Sequence, residues 1–372
     1  MDNTLISSFN RINTGRQPEV DLGKAVMLFL LPFIHVTILM TPDDALDHGM
    51  PYFFDTIAGG PFAAPMFIMA MGIGVVYSSK SSAKEYLIKG IGIFVSGFIV
   101  NFFAEGIPRL IAYNVTGDEA YSAEIIYRVF GDNVLQFSGI AIIFTSLLIY
   151  LKVSETVVIS IAAVLSLFSN LFYETDLGSD VANIIGGHFV GTQNAQGLVI
   201  SDFPFTNWFI VFIAGYIFAR RLIQTTDKTE LYKKIFMVTA PVSVVYLVLG
   251  IHYRIGMFGP GQDCYYHART HEILMMICFN LAMLSIYYFI SLKLPKAVQN
   301  IAYIFSKNIL QYYCVHLTLV SVVCIVFASA ILGIQVFTMP QILIVSFAIS
   351  IVSVLLANLY TTKIKPLFRR KK

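Results

Sequence analysis

The sequence predicts an all-α protein, a polytopic membrane helical bundle of about ten transmembrane helices with both termini in the cytoplasm. Of its 372 residues, 57% are hydrophobic and only 13% are charged, whereas roughly a quarter of a soluble domain is charged. Apolar runs long enough to cross a bilayer recur along the whole chain, and the basic residues collect in alternate loops. We therefore expect a single integral membrane domain over 1–372, in which 1–23 and 361–372 are cytoplasmic segments.

Hydropathy divides the chain into ten candidate spans, each close to the ~20 residues that a helix needs to cross the hydrocarbon core. Small residues inside them, such as Gly72, Gly74 and Gly97, are typical of membrane helices that pack closely. In chain order, the predicted spans are 24–41, 60–79, 87–107, 134–151, 155–174, 205–223, 234–253, 272–292, 309–332 and 341–360.

The distribution of Lys and Arg predicts the orientation of these spans. Of the 25 basic residues, only Arg109, Arg128, Arg254 and Arg269 fall on one side of the membrane, and all the others fall on the opposite side. Cytoplasmic loops carry the excess of Lys and Arg, so both termini are predicted to be cytoplasmic. We expect a multi-pass protein of the plasma membrane, in contact with membrane lipids, and the sequence leaves a homodimer open.

Composition also argues against two classes of function. The net charge of +3 is small and the basic residues are scattered between spans, a pattern that does not favour a nucleic-acid partner. The four cysteines, Cys264, Cys278, Cys314 and Cys324, match neither a metal site nor a disulfide framework. We therefore expect no nucleic acid and no metal cofactor.

One histidine lies in the middle of the first apolar run. If Lys24 marks the inner edge of this helix, His35 lies roughly 16 Å deeper, near the centre of a ~30 Å hydrocarbon core. An ionisable side chain at that depth is costly and usually marks a pathway or a reacting group. Hydrogen bonding across helices that only fixes their packing is the alternative.

A second histidine reaches a similar depth. Lys307 marks the inner edge of the ninth span, and His316 lies roughly 13 Å beyond it. The segment before it is unusually polar for a span and contains Tyr312 and Tyr313. A functional role and a packing role are equally compatible with this pattern.

Two further groups of ionisable residues lie near the predicted membrane boundaries. Glu105, at the outer end of the third span, is a catalytic candidate, but it is also placed to pair with Arg109 one helical turn later. Asp21 and Lys24 lie three residues apart at the inner boundary, where a local pair that sets the depth of the helix is the simplest interpretation.

The predicted outer loops at 42–59, 175–204 and 254–271 differ from the inner ones. The first two contain acidic residues and no Lys or Arg, whereas the third carries Arg254 and Arg269 among tyrosines and histidines. Aromatic and bidentate polar side chains suit a sugar or an anionic group, and they also suit an ordinary solvated loop. Solvated side chains are expected for the remaining histidines, His48, His188, His252, His267 and His271.

Several segments resemble known membrane acyltransferases. Arg16-Gln-Pro-Glu19-Val-Asp21-Leu-Gly-Lys24-Ala, with a histidine 14 residues after the aspartate, resembles the opening signature of acyltransferase family three. Later segments are similar to the wider transmembrane acyltransferase group that includes the catalytic domain of heparan-α-glucosaminide N-acetyltransferase. They are Ala64-Pro65-Met-Phe67-Ile-Met-Ala-Met-Gly72, Asp132-Asn-Val-Leu-Gln136-Phe-Ser-Gly139, Phe203-Pro204-Phe-Thr-Asn-Trp208 and Gln311-Tyr312-Tyr313-Cys-Val-His316.

This resemblance implies a ten- or eleven-helix enzyme that takes an acyl group, usually acetyl, from cytoplasmic acyl-CoA and places it on a sugar outside. His35 matches the family's first-span histidine, which is thought to act on the acceptor or on the acyl group. Lys24 departs from the family, because family three usually has arginine there, and no RxxR-type pair follows the second span. The loop instead contains Lys80, Lys84 and Lys89, which can hold donor phosphates as point charges or can simply reflect topology.

These features predict a plasma-membrane acyltransferase that uses acetyl-CoA or a related acyl-CoA to modify a hydroxyl or amine of an extracytoplasmic glycan or lipid-linked sugar. An imidazole suits the role of general base. The alternatives are a proton-coupled transporter or flippase that uses the same histidines as a relay, and a structural membrane subunit. The predicted site consists of catalytic His35, His316 and Glu105, donor-binding Lys80, Lys84 and Lys89, and substrate-binding Asp21, Lys24, Arg254, Arg269 and Tyr312.

Overall fold

The computed structural model describes residues 11–78, 82–173, 175–193, 201–259 and 263–369. Within these ranges, the regular structure is helical and β-structure is limited to two isolated bridges. Nine helices of the described chain are long and apolar enough to cross a membrane. The all-α membrane fold is thereby confirmed, whereas the side on which the termini lie stays a prediction.

The principal helices are α1 (Pro18–Met40), α2 (Gly49–Val76), α3 (Ala83–Thr116), α4 (Val134–Tyr150), α5 (Glu155–Phe172), α6 (Phe205–Gln224), α7 (Lys228–Tyr253), α8 (Thr270–Ser291), α9 (Lys296–Lys307), α10 (Ile309–Ile331) and α11 (Met339–Leu367). Helix α4, the predicted fourth span, has 17 residues and is shorter than the nine. Shorter helices cover Asp43–Leu46, Glu119–Ala123, Ile125–Phe130, Asp180–Gly187, Gly256–Phe258 and Asp263–Tyr266.

Five predicted boundaries are wrong by six residues or more: the starts of α1, α2 and α7 and the ends of α3 and α11. Helix α1 begins at Pro18 and not near residue 24, because proline is favoured at the first helical position and the acidic first turn suits the helix N-terminus. Lys24 therefore lies inside the helix and does not mark its edge. Helix α2 begins at Gly49, so the second half of the predicted loop 42–59 is helical.

The chain divides into two compact units, each assembled from separated stretches of sequence. Unit 1 contains 11–16, Phe67–Ile99 and Ile126–Leu281, and unit 2 contains Gln17–Met66, Val100–Ile125 and 282–369. The prediction of a single domain over the whole chain stays an expectation.

Close contacts between helices organise unit 1. Helix α6 packs against α5 and α4, and small residues bring its backbone near that of α2. A Cβ atom added at Gly72 would collide with the backbone of Phe212, and one added at Gly215 would collide with the backbone of Met69. The predicted packing role of Gly72 is thus confirmed. The same role for Gly74 is wrong, since a Cβ there would meet nothing within 4 Å.

Helix α1 organises unit 2, where it packs against α9, α10, α11 and the π-helical part of α2. Serines of α11 donate hydrogen bonds to main-chain carbonyl oxygens of α1, from Ser350 to Phe29 at 3.0 Å and from Ser346 to Pro32 at 3.3 Å. Such polar contacts between membrane helices fix their rotation and depth. A buried apolar cluster continues the interface around Val36, Met40, Val320, Cys324, Ala328, Ile342 and Ile349.

Candidate functional site

The two histidines predicted at mid-membrane depth lie in contact in unit 2. The ring centroids of His35 on α1 and His316 on α10 are 5.4 Å apart, with 39° between the ring planes. His316 is fully buried, whereas His35 is half-buried. The structure therefore brings together the two imidazoles that the sequence predicted at mid-membrane depth, although Lys24, from which the depth of His35 was counted, lies inside α1.

Hydrogen bonding indicates the tautomer of His316. Its Nδ1 lies 3.2 Å from the carbonyl oxygen of Tyr312, and a carbonyl oxygen only accepts, so Nδ1 carries the proton that it donates. In the neutral ring, Nε2 then has the free lone pair, and within the described residues no hydrogen bond reaches it. His316 thus presents a buried proton acceptor beside His35.

Two tyrosines of α10 pack against His316. Tyr312 stacks on His316 with a centroid distance of 5.6 Å, and Tyr313 meets it edge-on at 5.4 Å. Because residues four and three positions apart share a helix face, the motif Gln311-Tyr312-Tyr313-Cys-Val-His316 folds both rings onto the histidine. Tyr312, predicted to bind substrate, is fully buried at this site.

The backbone of unit 2 is unusual near this pair. Among the described residues, four π-helical stretches occur and all belong to this unit: Phe53–Ala63, Phe102–Gly106, Val322–Ile331 and Tyr360–Ile364. The first packs against α1 and the second against α10, the two helices that carry His35 and His316. π-Helical turns are rare and frequently occur at functional sites. The backbone conformation is therefore a second indication that the region around His35 and His316 is functional.

Glu105 lies on one of these π-helical turns and forms the predicted ion pair with Arg109. Arg109 is also 3.8 Å from Glu124. Arg109 is buried, with 9% of the residue exposed, and the carboxylates of Glu105 and Glu124 both lie near its guanidinium. A structural ion pair is therefore present, and the catalytic role of Glu105 stays a prediction.

Asp21 and Lys24 lie at the start of α1, away from the histidines. Fourteen residues of helix separate Asp21 from His35, roughly 21 Å. Asp21 is 8% exposed and accepts a 2.5 Å hydrogen bond from Ser306 Oγ on α9. Lys24 is half-buried one turn further on. Asp21 is therefore bonded to a distant part of the chain, and its local pairing with Lys24 stays a prediction.

Comparison with known families identifies the type of protein. Residues 16–253 match the family model described as "Heparan-alpha-glucosaminide N-acetyltransferase, catalytic". This match covers more than half of the chain. The chain belongs to this family. No curated protein matches it.

The family match divides the predicted site. Asp21, Lys24, His35 and Glu105 fall inside the matched residues, whereas Tyr312 and His316 lie beyond their end. The partner of His35 in this structure therefore comes from a part of the chain that the family model does not cover.

The other predicted site residues belong to unit 1. Lys84 is exposed and Lys89 is half-buried near the start of α3, while Lys80 lies outside the described residues. Arg254 and Arg269 are both exposed, Arg254 in the left-handed conformation that ends α7. The structure leaves their donor-binding and substrate-binding roles as predictions.

A buried polar cluster in unit 1 contradicts the expectation that His188 is solvated. His188 is 6% exposed and its Nδ1 lies 3.3 Å from Oδ1 of Asp132. The other Asp132 oxygen accepts from the Phe203 N–H at 3.1 Å and from Ser201 Oγ at 3.5 Å. Burial raises the pKa of Asp132 to about 7, although its hydrogen bonds with His188 and Phe203 act in the opposite direction. In the sequence, Asp132 at the start of the segment Asp132–Gly139 is the feature that could have indicated this buried cluster.

His267 is likewise buried and not solvated. It is 8% exposed, and its Nε2 donates to the main-chain carbonyl oxygen of Ser201 at 2.9 Å. Burial lowers the pKa of His267 to about 4, so the ring is neutral at pH 7. Among the described residues, no group of three or more His, Cys, Asp or Glu side chains is arranged to hold a metal ion.

Proposed function

We propose that this protein is a membrane acyltransferase that moves an acetyl group from cytoplasmic acetyl-CoA to an amine or hydroxyl of an extracytoplasmic sugar, either in a glycan or linked to a lipid. Membership of the N-acetyltransferase family supports the class of reaction. The contact between His35 and His316 carries the proposal, because acyl transfer needs a group that removes a proton from the acceptor.

In the proposed reaction, the acceptor nitrogen or oxygen attacks the thioester carbonyl carbon, and its proton passes to a ring nitrogen of His35. Collapse of the tetrahedral intermediate breaks the carbon–sulfur bond, and the departing thiolate takes the proton back as CoA-SH. The products are the acetylated acceptor and CoA. A neutral imidazole can perform both transfers because one ring nitrogen accepts a proton and later returns it.

His316 is a positioning residue in this scheme. Its donor nitrogen is held by Tyr312, so its ring orientation is fixed, and it shapes the environment of the half-buried His35. Lys84 and Lys89, together with Lys80, are proposed to hold the donor's phosphates on the cytoplasmic side as point charges.

The decisive experiment uses purified full-length protein in nanodiscs with acetyl-CoA labelled in the acetyl group. Glucosamine-terminated and hydroxyl-only oligosaccharides are offered as acceptors, and CoA-SH release is measured in parallel with labelled product. We expect acceptor-dependent release and labelling in equal amounts. If no acceptor is acetylated and sealed vesicles instead take up one of these oligosaccharides when a proton gradient is applied, the protein is the transporter of the alternative interpretation.

A further inference from the structure

Helix α9 (Lys296–Lys307) lies in unit 2 between the end of α8 and the start of α10. Its 12 residues extend over roughly 18 Å, whereas a helix needs ~20 residues to cross the hydrocarbon core. The residues of α9 also fall between two of the spans that hydropathy predicts. Helix α9 is therefore a connecting helix that is too short to cross the membrane.

Two stripes along α9 have opposite surroundings. Ala302 and Ser306, one turn apart, are buried, and Ser306 donates to Asp21 of α1. Val298 and Ile301, three residues apart and so on a common face, are instead 42% and 57% exposed. The buried stripe joins α9 to α1, and the apolar stripe lies on the outside of the protein.

The third stripe of α9 is basic. Lys296, Asn300 and Lys307 share one side of the helix, because they are four and seven residues apart, and all three are exposed. Tyr303 lies beside them, with the Lys307 ammonium 5.7 Å from the centre of its ring. Lys293, in the turn before the helix, is exposed as well. We call the apolar and basic stripes, together with Lys293, the α9 surface.

The charge of the α9 surface is not balanced by acidic residues. All 22 Asp and Glu residues of the chain precede residue 273, whereas nine Lys and Arg follow it. In the first turn of α1, the helix against which α9 packs, Glu19 and Asp21 are buried and do not share the exposed surface. The α9 surface is therefore complementary in charge to an anionic group.

Orientation alone does not explain this charge. Inner loops are rich in Lys and Arg, but they need not lack acidic residues. The connection between α6 and α7, predicted on the same side of the membrane, contains Asp227 and Glu230 near Lys233 and Lys234, and Lys234 pairs with Glu230 at 3.2 Å. The lysines of α9 differ because they are uncompensated and lie beside an exposed apolar stripe.

We propose that α9 lies in the interface of the membrane and that the α9 surface binds an anionic phospholipid. Val298 and Ile301 rest against the acyl chains, and Lys293, Lys296 and Lys307 hold the headgroup phosphate. Short helices with one apolar face and one Lys-rich face adopt this position in membranes, and basic clusters next to membrane helices attract anionic lipids. Tyrosine, here Tyr303, is favoured at the same level. This inference does not depend on acetyl transfer.

Lipid binding can be counted directly by native mass spectrometry of the full-length protein in a neutral detergent. The protein is titrated with phosphatidylglycerol and, separately, with phosphatidylcholine of the same acyl chains, and we expect tighter binding of phosphatidylglycerol. The double variant Lys296→Gln/Lys307→Gln should weaken phosphatidylglycerol binding about thirtyfold, since each basic residue near the headgroups contributes about fivefold. Its binding of phosphatidylcholine should not change.

Two further variants separate headgroup recognition from general effects of charge or folding. Lys233→Gln/Lys234→Gln removes the same charge from α7, where acidic neighbours compensate it, and should bind phosphatidylglycerol like the wild type. Lys296→Arg/Lys307→Arg retains the charge of α9 and should retain the preference for phosphatidylglycerol.

The position of α9 can be tested independently with spin labels at Ile301→Cys and Lys296→Cys, in nanodiscs and in a protein whose native cysteines are replaced. Oxygen, which concentrates among acyl chains, should relax the label at position 301. A water-soluble nickel complex should relax the label at position 296. Equal access of the nickel complex to both labels would show that α9 is solvated and would overturn the proposed position.

Three other results would also overturn the inference. Equal phosphatidylglycerol affinity in the α9 and α7 double glutamine variants would leave the α9 lysines without a specific role. Displacement of phosphatidylglycerol by acetyl-CoA, lost in Lys296→Gln/Lys307→Gln, would assign the surface to the acyl donor. A dimer that Ile301→Ser dissociates would assign the apolar stripe to a second copy of the chain.

Discussion

Ser306 donates a 2.5 Å hydrogen bond to Oδ1 of Asp21, across 285 positions of the chain. This bond joins the first turn of α1 to α9 at a site where both side chains are buried. A buried carboxylate needs such donors, because the loss of a partner leaves its desolvation uncompensated. The motif that resembles acyltransferase family three is therefore bonded to Ser306 on α9, a residue 285 positions further along the chain.

Replacement of this donor should destabilise the protein. Ser306→Ala leaves the buried Asp21 carboxylate without its hydroxyl partner, and we expect a loss of about 1–3 kcal/mol, measured as a lower Tm in nanodiscs. Ser291→Ala is the control, since Ser291 is equally buried but donates only to the Tyr288 carbonyl oxygen of its own helix. Equal Tm values for the two variants would show that the contact adds no stability.

The activity of the proposed enzyme should depend on His35. His35→Ala should lower acetyl transfer by roughly 10²–10⁴, the usual contribution of a general base, and should retain acetyl-CoA binding because the base need not contact the nucleotide. His316→Ala should reduce the rate less. Near-normal transfer by a stable His35→Ala protein would exclude His35 from the mechanism, and rescue by His35→Gln would indicate a packing role.

Donor recognition is predicted to involve the lysines between α2 and α3. Replacement of Lys80, Lys84 and Lys89 together by glutamine should raise KM for acetyl-CoA more than KM for the acceptor, because point charges that face phosphates are lost. Initial rates at varied donor and acceptor concentrations test this expectation. An unchanged donor KM in the folded triple variant would reduce these lysines to determinants of topology.

Orientation in the membrane can be measured with single cysteines introduced into a protein whose four native cysteines are replaced. From the distribution of basic residues, Ser82→Cys and Thr362→Cys should be shielded from an impermeant thiol reagent in intact cells, whereas Asp44→Cys should react. Permeabilised cells provide the control, in which all three sites should react. Labelling of the first two sites in intact cells would reverse the predicted orientation.

The contribution of Asp132 to stability should fall as the pH rises through the range in which this carboxyl ionises. The pKa of Asp132 is raised to about 7 in the folded protein, so between roughly pH 4 and pH 7 the folded state binds more protons than the unfolded state. His267, whose pKa is lowered to about 4, changes stability in the opposite sense over much of this window, so the test is the difference between the wild type and Asp132→Asn. The Tm of the wild type minus that of Asp132→Asn should fall across the window and level off above it, and a constant difference between the two proteins would contradict the raised pKa.

The sequence predicted the local parts of the site better than its distant contacts. The ion pair of Glu105 with Arg109 was expected because four residues span one helical turn, and it is present. His188 and His267 were expected to be solvated because they lie in or near predicted loops, and both are buried. Their burial depends on Asp132 and Ser201, which lie more than 50 residues away, so no local pattern could reveal it.

By itself, the sequence determined which segments form long apolar helices, because hydropathy is a property of consecutive residues. The depth of His35 and His316 in the membrane stays a prediction. Only the tertiary structure decided that the rings of His35 and His316 are neighbours, that Ser306 donates to Asp21, and that Tyr173 packs against His267. Those contacts depend on which helix faces pack together. That choice is made by side-chain complementarity between segments that are far apart in the chain.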